Sequence, residues 1–223
     1  FDVTTPDEPA RLSIDGFKVS DLNLRNLVLY EETVDGVVSW NPSGELQPAE
    51  VSETFLLGRA SAIFGTTLIV SGVLGDTSAP TDLVNSDGVV YIYDWNSGSD
   101  QWDETAKLFA GDADGVSLGL GFGASLDIWG DVAVVGAPGD QTAGEVEGAA
   151  YVFERDGNGN WSQTTKLTVS DTGQLDAAIA EFGTSVSVSG PNIAVGAPGG
   201  NFNSVYLFED NGMTWVGNGD VSH

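Results

Sequence analysis

Residues 122–139 read FGASLDIWGDVAVVGAPG, and residues 182–199 read FGTSVSVSGPNIAVGAPG. The two stretches share nine identical positions, without a gap, at a constant offset of 60 residues. Their common framework is Phe-Gly at the start, a Gly near the middle and Val-Gly-Ala-Pro-Gly at the end. An internal repeat of this length indicates an architecture of stacked supersecondary units, each of which buries its faces against its neighbours.

A weaker copy lies upstream at residues 57–72, LGRASAIFGTTLIVSG, where Gly58 and Gly65 take the places of Gly123 and Gly130. Each copy is followed by a short aromatic segment and then by a segment that begins with Trp. After the three copies the aromatic segments are residues 90–93, 151–153 and 206–208, and the Trp segments begin at Trp102, Trp161 and Trp215. Residues 28–30 and the segment that begins at Trp40 read as an earlier, fourth member that precedes the first copy.

The repeat unit predicts four antiparallel strands. Val186 and Val188 alternate with serines, as in a strand with one buried face, and Gly-containing pairs supply tight turns. Four strands per unit at this period are typical of a β-propeller blade. We expect the repeated Trp to fill the gap between blades. We also expect four glycines of the first two strands to let these inner strands approach the axis: Gly130, Gly136, Gly190 and Gly196.

The predicted fold is therefore all-β, with about three to four propeller-type blades, either incomplete or part of a larger propeller. Residues 1–50 read as a partial or degraded blade, 51–110 as a degenerate blade, 111–170 as a full blade and 171–223 as a C-terminally shortened blade. Residues 12–19 read as a further strand. We expect this strand to join the last blade of its own chain or to insert into a neighbouring molecule, and the small blade count favours the second route.

The repeated Phe-Gly and Gly-Ala-Pro words resemble the FG-GAP repeats of the integrin α-subunit propeller and of many surface proteins. The resemblance covers residues 57–216 and implies the fold, but it does not imply one function. In integrin-like blades a calcium loop separates the FG strand from the GAP strand. Here that link is only residues 129–131 in one blade and 189–192 in another, so the family's calcium sites are not carried over to these positions.

The charge balance is extreme, with 33 acidic residues against 7 basic ones and a net charge of −26. Such a chain repels nucleic-acid phosphates and anionic membrane surfaces, so we expect neither nucleic-acid binding nor membrane insertion. Two explanations of the acidity stay open: solubility in a salty medium and the binding of cations. With 41% hydrophobic residues the chain has ample material for a core.

Residue types for catalysis are scarce. The sequence has no Cys, and its single His is His223, so the usual nucleophilic triads and zinc sites are excluded. No pair of carboxylates is singled out for glycosidase chemistry. We predict that the protein is not an enzyme.

Two loops have oxygen-bearing side chains at alternating positions, as calcium loops do. The candidate metal ligands are Asp112 and Asp114 in one loop and Asp156 and Asn158 in the other. Both loops lack the downstream bidentate Glu of an EF-hand, and turns that use Asp and Asn explain them equally. The acidic loop with Asp140, Glu145 and Glu147 is expected to bind ions only loosely.

Three functions fit these features. The first is an extracellular or cell-surface binding and adhesion module that recognises a protein or a glycan through its loops. The second is a structural subunit that joins copies of itself by β-strand pairing into an assembly or filament. The third is an accessory domain of a secreted enzyme. In each case we expect an extracellular location, with calcium as the one possible cofactor.

Overall fold

A computed structural model describes residues 27–32, 40–46, 55–74, 88–111, 121–142, 145–169, 180–199 and 204–220. The regular elements within these ranges are sixteen β-strands. In chain order they are β1 Leu27–Glu32, β2 Trp40–Leu46, β3 Phe55–Phe64, β4 Thr67–Leu74, β5 Gly88–Asn96, β6 Gln101–Leu108, β7 Ser125–Trp129, β8 Val132–Ala137, β9 Gln141–Thr142, β10 Glu145–Val146, β11 Ala149–Arg155, β12 Trp161–Leu167, β13 Ser185–Ser189, β14 Asn192–Ala197, β15 Ser204–Asp210 and β16 Trp215–Asp220.

Twelve of these strands form three four-stranded antiparallel sheets. Blade I contains β3, β4, β5 and β6; blade II contains β7, β8, β11 and β12; blade III contains β13, β14, β15 and β16. In each blade the strands are neighbours in chain order, as predicted. The all-β, blade-type fold class is therefore confirmed. Strands β9 and β10 form a small hairpin between β8 and β11.

The first two strands of every blade are joined by a two-residue turn that begins with Gly. Trp129 pairs with Val132 across Gly130-Asp131, and Ser189 pairs with Asn192 across Gly190-Pro191. The φ angles are +57° at Gly65, +58° at Gly130 and +55° at Gly190. Glycine adopts this left-handed conformation without steric cost, which explains why it recurs at the start of each turn.

The outer two strands of each blade share a β-bulge that sequence patterning does not predict. In blade II the register shifts between Val152 and Phe153, which leaves Thr164 as an extra residue on β12. Its hydroxyl donates to the Glu154 carboxylate at 3.1 Å. Thr105 of blade I occupies the same position and donates to Asp94 at 2.9 Å. In blades I and II the bulge therefore carries a threonine whose hydroxyl bonds to a carboxylate of the neighbouring strand.

The hairpin of β1 and β2 has the same register as the outer half of a blade. Leu27 pairs with Leu46, Glu32 pairs with Trp40, and the register shifts between Leu29 and Tyr30. These pairs match Ala150 with Leu167 and Arg155 with Trp161 in blade II. The early member of the repeat predicted at residues 28–30 is therefore a strand with this register, and its assignment to a partial blade over residues 1–50 stays a prediction. Residues 12–19 lie outside the described residues.

Successive blades pack face to face, and each blade has a front face toward the preceding unit and a back face toward the next. The core between blades I and II joins Ile69 and Val90 to Phe122 and Tyr151. The core between blades II and III is built in the same way, and that in front of blade I includes Leu46 of β2. The repeated Trp lies on each front face, packed against or within these cores: Trp102, Trp161 and Trp215.

The Phe-Gly word sits in the turn just before the first strand and connects two blades. Phe122 packs on Tyr151 and Phe182 on Tyr206, with ring centroids 5.5 and 5.7 Å apart. The Phe182 amide donates 3.0 Å to the carbonyl of Glu147 in the preceding blade. The two Phe residues are therefore equivalent, as the 60-residue offset predicts.

The four glycines expected to crowd the axis divide into two kinds. A Cβ on Gly136 would lie 2.0 Å from the Gly183 carbonyl oxygen, and one on Gly196 would lie 2.3 Å from Ser185 Oγ. Gly130 and Gly190 have nothing within 4 Å of such a Cβ. The prediction was wrong for the latter pair, because they serve the turn conformation and not close approach.

Candidate functional site

The two hairpin turns of each blade lie at one end of the molecule, which we call the turn face. It comprises the first turns, residues 65–66, 130–131 and 190–191, and the outer turns, residues 97–100, 156–160 and 211–214. Bonds between neighbouring blades at this end show that the blades point the same way: Arg155 Nη1 of blade II lies 3.3 Å from Asp94 Oδ1 of blade I. The described parts of the other strand connections, at residues 109–111, 138–142 and 180–181, lie at the opposite end.

One backbone position on the turn face carries a different side chain in each blade. The amides of Trp95, Arg155 and Asp210 each donate to the first turn of their own blade, at 2.8 Å in all three cases. The acceptors are the carbonyls of Thr66, Asp131 and Pro191. At the backbone position fixed by this hydrogen bond, the side chain is an indole in blade I, a guanidinium in blade II and a carboxylate in blade III.

Arg155 links blades I and II across this end. Its Nε lies 2.7 Å from Asp131 Oδ1 in its own blade, and its Nη1 is 3.4 Å from the Thr67 hydroxyl of blade I. Its guanidinium also lies over the Trp161 ring at 5.4 Å. One of the few basic residues is therefore held by carboxylates from two blades and an aromatic ring.

The loop that contains two of the predicted metal ligands is closed by its own hydrogen bonds. Asp156 Oδ1 accepts the backbone N–H groups of Asn158 and Asn160, both at 2.8 Å. The side-chain amide of Asn160 donates from Nδ2 to Asp156 Oδ2 at 3.1 Å. These donors, led by the Asn160 backbone, lower the pKa of Asp156 to about 2. The geometry is that of an Asx turn.

Calcium binding by Asp156 and Asn158 stays a prediction. In the structure these two residues are joined by hydrogen bonds within the turn. Asp112 and Asp114 lie outside the described residues. Within the part of the chain that the structure describes, no three His, Cys, Asp or Glu residues are grouped so as to hold a metal ion.

Asp140 has a different setting from the loose ion ligand that the sequence predicted. Its side chain is only 1% exposed, its Oδ1 lies 2.7 Å from Lys166 Nζ, and its Oδ2 accepts a hydrogen bond from the Tyr151 hydroxyl. Lys166 also lies over the Tyr151 ring. The carboxylate is thus part of the interior of blade II, where removal of Lys166 would leave a buried carboxylate without this cation.

Sequence reasoning missed two kinds of contact between blades. Gly88 begins β5 and Gly148 directly precedes β11, and a Cβ there would lie 1.9 Å from the Phe122 oxygen and 2.3 Å from the Phe182 oxygen, respectively. The 60-residue spacing of these two glycines could have identified them from the sequence as equivalent positions. The Arg155 cluster had no such signal, because its position carries Trp in blade I and Asp in blade III.

Consecutive four-stranded antiparallel sheets packed front to back, each with an aromatic third strand, define a repeat protein of the β-propeller type. The family model for the FG-GAP repeat matches residues 102–153 and 161–208. These segments are FG-GAP repeats. No curated protein matches the chain significantly.

The matched segments are offset from the structural blades. The first begins at Trp102 on the last strand of blade I and ends at Phe153 on the third strand of blade II. The second runs likewise from Trp161 to Phe208. Each sequence repeat therefore spans a blade boundary, so the Trp strand of one blade and the inner strands of the next form one unit. The described residues include no helix that is long and apolar enough to span a membrane.

Proposed function

We propose that the chain is an extracellular or cell-surface binding module that recognises a protein or a glycan through the turn face. FG-GAP repeats are typical of extracellular proteins, and their domains are generally non-catalytic. The observation that carries the proposal is the variation at one hydrogen-bonded position, where Trp95, Arg155 and Asp210 occupy the same backbone site.

This variation favours recognition over a purely structural role. Core positions repeat their chemistry from blade to blade, as Tyr91, Tyr151 and Tyr206 do. A scaffold that keeps its core and changes the side chains beside its loops is suited to specific binding. The net charge of −26 opposes contact between identical copies and favours neutral or basic ligands. Ligand recognition therefore has more support than self-assembly.

The test is binding to a glycan array and to a panel of purified extracellular proteins. Trp95→Ser with Met213→Ser alters the turn face, where Met213 is 95% exposed. Phe109→Ser is the matched control at the opposite end, where Phe109 is 49% exposed. We expect the turn-face variant to lose binding and the control to keep it. Binding lost only in the Phe109 variant, or no binding in either panel, would contradict the proposal.

A further inference from the structure

The repeated Trp has a different partner in each blade. In blade II, Arg155 lies opposite Trp161 across the outer hairpin, and its guanidinium covers the indole ring at 5.4 Å from the centroid. In blade III, Asp210 lies opposite Trp215, whose side chain is buried. Blade II therefore shows that an indole at this position of the repeat accepts a cation over its face.

In blade I a second indole takes the place of that cation. Trp95 lies opposite Trp102, and the two ring centroids are 5.5 Å apart at an interplanar angle of 64°. We call these two residues the indole pair. Both side chains are only half-buried, and the adjoining turn residues 96–100 are exposed. The indole pair is therefore an accessible aromatic surface at the turn face, of the kind that attracts a cation from outside the chain.

Two further differences make the surroundings of the indole pair more polar and more acidic. Tyr93 pairs with Glu104 across β5 and β6, where blade II has Phe153 and Gln163. Side chains two residues apart on a strand share a face, so Tyr93 and Glu104 lie on the same face of the hairpin as the indole pair. The Glu104 side chain is 17% exposed. It places a negative charge beside the rings, at a position where blade II has a neutral amide.

The hydroxyl of Tyr93 is buried next to Trp102 and has no hydrogen-bond partner among the described residues. Burial, together with the Glu104 carboxylate, raises the pKa of this hydroxyl. A buried polar group without a partner costs free energy, and blades II and III avoid that cost with Phe153 and Phe208. The N–H groups of a cation bound at the indole pair would supply the missing donor.

The lysine of blade I lies further along the hairpin. Lys107 Nζ is 3.6 Å from Glu104 and lies over the Tyr91 ring at 5.4 Å from the centroid. Tyr91 is four residues from Trp95 on β5, a distance of about 13 Å along an extended strand. Lys107 therefore does not take the place over the repeated Trp that Arg155 takes in blade II.

We propose that the indole pair binds the guanidinium or ammonium group of a basic side chain on a partner protein, with Glu104 as the counter-ion. The inference deepens the proposed function and rests on it, because the indole pair lies at the turn face. The net charge of −26 draws basic partners toward the protein. The indole pair gives one of their cations a defined position, through the attraction between a cation and an aromatic face.

An NMR titration of the full chain with single basic side chains tests the proposal. The probes are N-acetyl-arginine amide and N-acetyl-lysine amide, and the uncharged N-acetyl-citrulline amide is the matched control. We expect at least one cation to shift the indole N–H signals of Trp95 and Trp102 in a saturable way, and citrulline to leave them unchanged. Equal shifts with citrulline, equal shifts at all six tryptophans or no shift would overturn the proposal.

Trp95→Arg recreates in blade I the arrangement of blade II, in which the protein's own guanidinium covers the ring. We expect this variant to bind the cationic probe at least about tenfold more weakly than the parent protein. Ser97→Arg adds the same charge in the adjacent exposed turn and is the matched control, which should bind nearly as well as the parent. Equal losses in the two variants would show that the probe responds only to overall charge, and would overturn the proposal.

The cation site and the proposed function can fail separately. If glycans or extracellular proteins bind in a manner that depends on Trp95 while neither cationic probe binds the indole pair, recognition at the turn face stands and the cation site is rejected. If a cationic probe binds the indole pair but no glycan or protein of the panel binds, the cation site stands and the wider function is contradicted.

Discussion

At the scale of single residues, the Phe-Gly and Gly-Ala-Pro motifs allow the backbones of neighbouring blades to approach closely. Ser125 Oγ donates 2.8 Å to the carbonyl of Gly183, across the boundary between blades II and III. Gly136 leaves room for this contact. Blade I uses a different solution, in which Ser71 takes the Gly136 place and its hydroxyl accepts the Ala60 amide at 2.9 Å. A hydroxyl is therefore kept at this point, on either of two neighbouring strands.

Gly136→Ala should destabilise the fold strongly, because its Cβ would lie 2.0 Å from the Gly183 oxygen and 2.3 Å from Ser125 Oγ. We expect a loss of about 2 kcal/mol or more in the free energy of unfolding, measured by urea denaturation. Gly157→Ala is the control, because nothing lies within 4 Å of its added Cβ. Equal unfolding midpoints for the two variants would show that the blades do not approach as described.

The Asp156 turn predicts a change in stability on the acid side. Its pKa falls from 3.8 to about 2 in the folded state, so folding favours the ionised carboxylate. That contribution is complete above the unfolded pKa near 4 and disappears as the pH falls through about 2. A carbon-13 NMR titration should give a midpoint near 2 for Asp156. A midpoint near 3.8 would show that the N–H groups of Asn158 and Asn160 do not hold the carboxylate.

At the scale of elements, sequence periodicity predicts the strands within a blade well, but contacts between blades much less well. The 60-residue offset correctly placed Phe122 with Phe182, and the Trp that follows each aromatic segment correctly placed Trp161 with Trp102 and Trp215. Contacts such as Asp127 Oδ2 with the Val188 amide, 2.9 Å apart, join residues of different strands and different chemistry. They depend on how two sheets stack, which a repeated pattern of single residues does not encode.

The candidate site was predicted only in part for the same reason. Asp156 and Asn158 were identified by spacing, and the structure places them on the turn face. The bridging role of Arg155 became visible only when two blades were side by side. Its significance comes from Asp94, which lies 61 residues earlier in the chain.

Arg155→Lys should weaken the link between blades I and II. A lysine keeps the charge but does not reach Asp131 and Asp94 with two separate nitrogens. Because the Arg155 side chain is 25% exposed, we expect a modest loss of about 1 kcal/mol in the free energy of unfolding. The loss should shrink in 1 M NaCl, where the Debye length is about 3 Å.

Arg59→Lys is the matched control for this charge-conserving change, because Arg59 is exposed on blade I. Its unfolding free energy should stay close to that of the parent protein. If both variants lose the same amount of stability, the loss reflects the exchange of Arg for Lys in general, and the guanidinium of Arg155 does not connect the blades.

At the scale of the whole molecule, equivalent blades stack front to back, with their hairpin turns at one end. The extreme negative charge acts on this architecture as a whole. Lys107, Arg155 and Lys166 each pair with a carboxylate within or between blades. These ion pairs use positive charge within the blades, so the surface stays strongly acidic. Such a surface repels anions and identical copies of the chain.

The most direct test of the stacked-blade claim is hydrogen exchange at the amide of Phe182. This N–H bonds to the Glu147 carbonyl of the preceding blade, and Phe182 pairs with Gly148 as an isolated bridge outside its own sheet. If blades II and III pack as described, NMR-detected exchange at Phe182 should be at least about 100-fold slower than at the Met213 amide in an exposed turn. Exchange at Phe182 as fast as at Met213 would contradict the stacking of the blades and, with it, the architecture on which the proposed turn face depends.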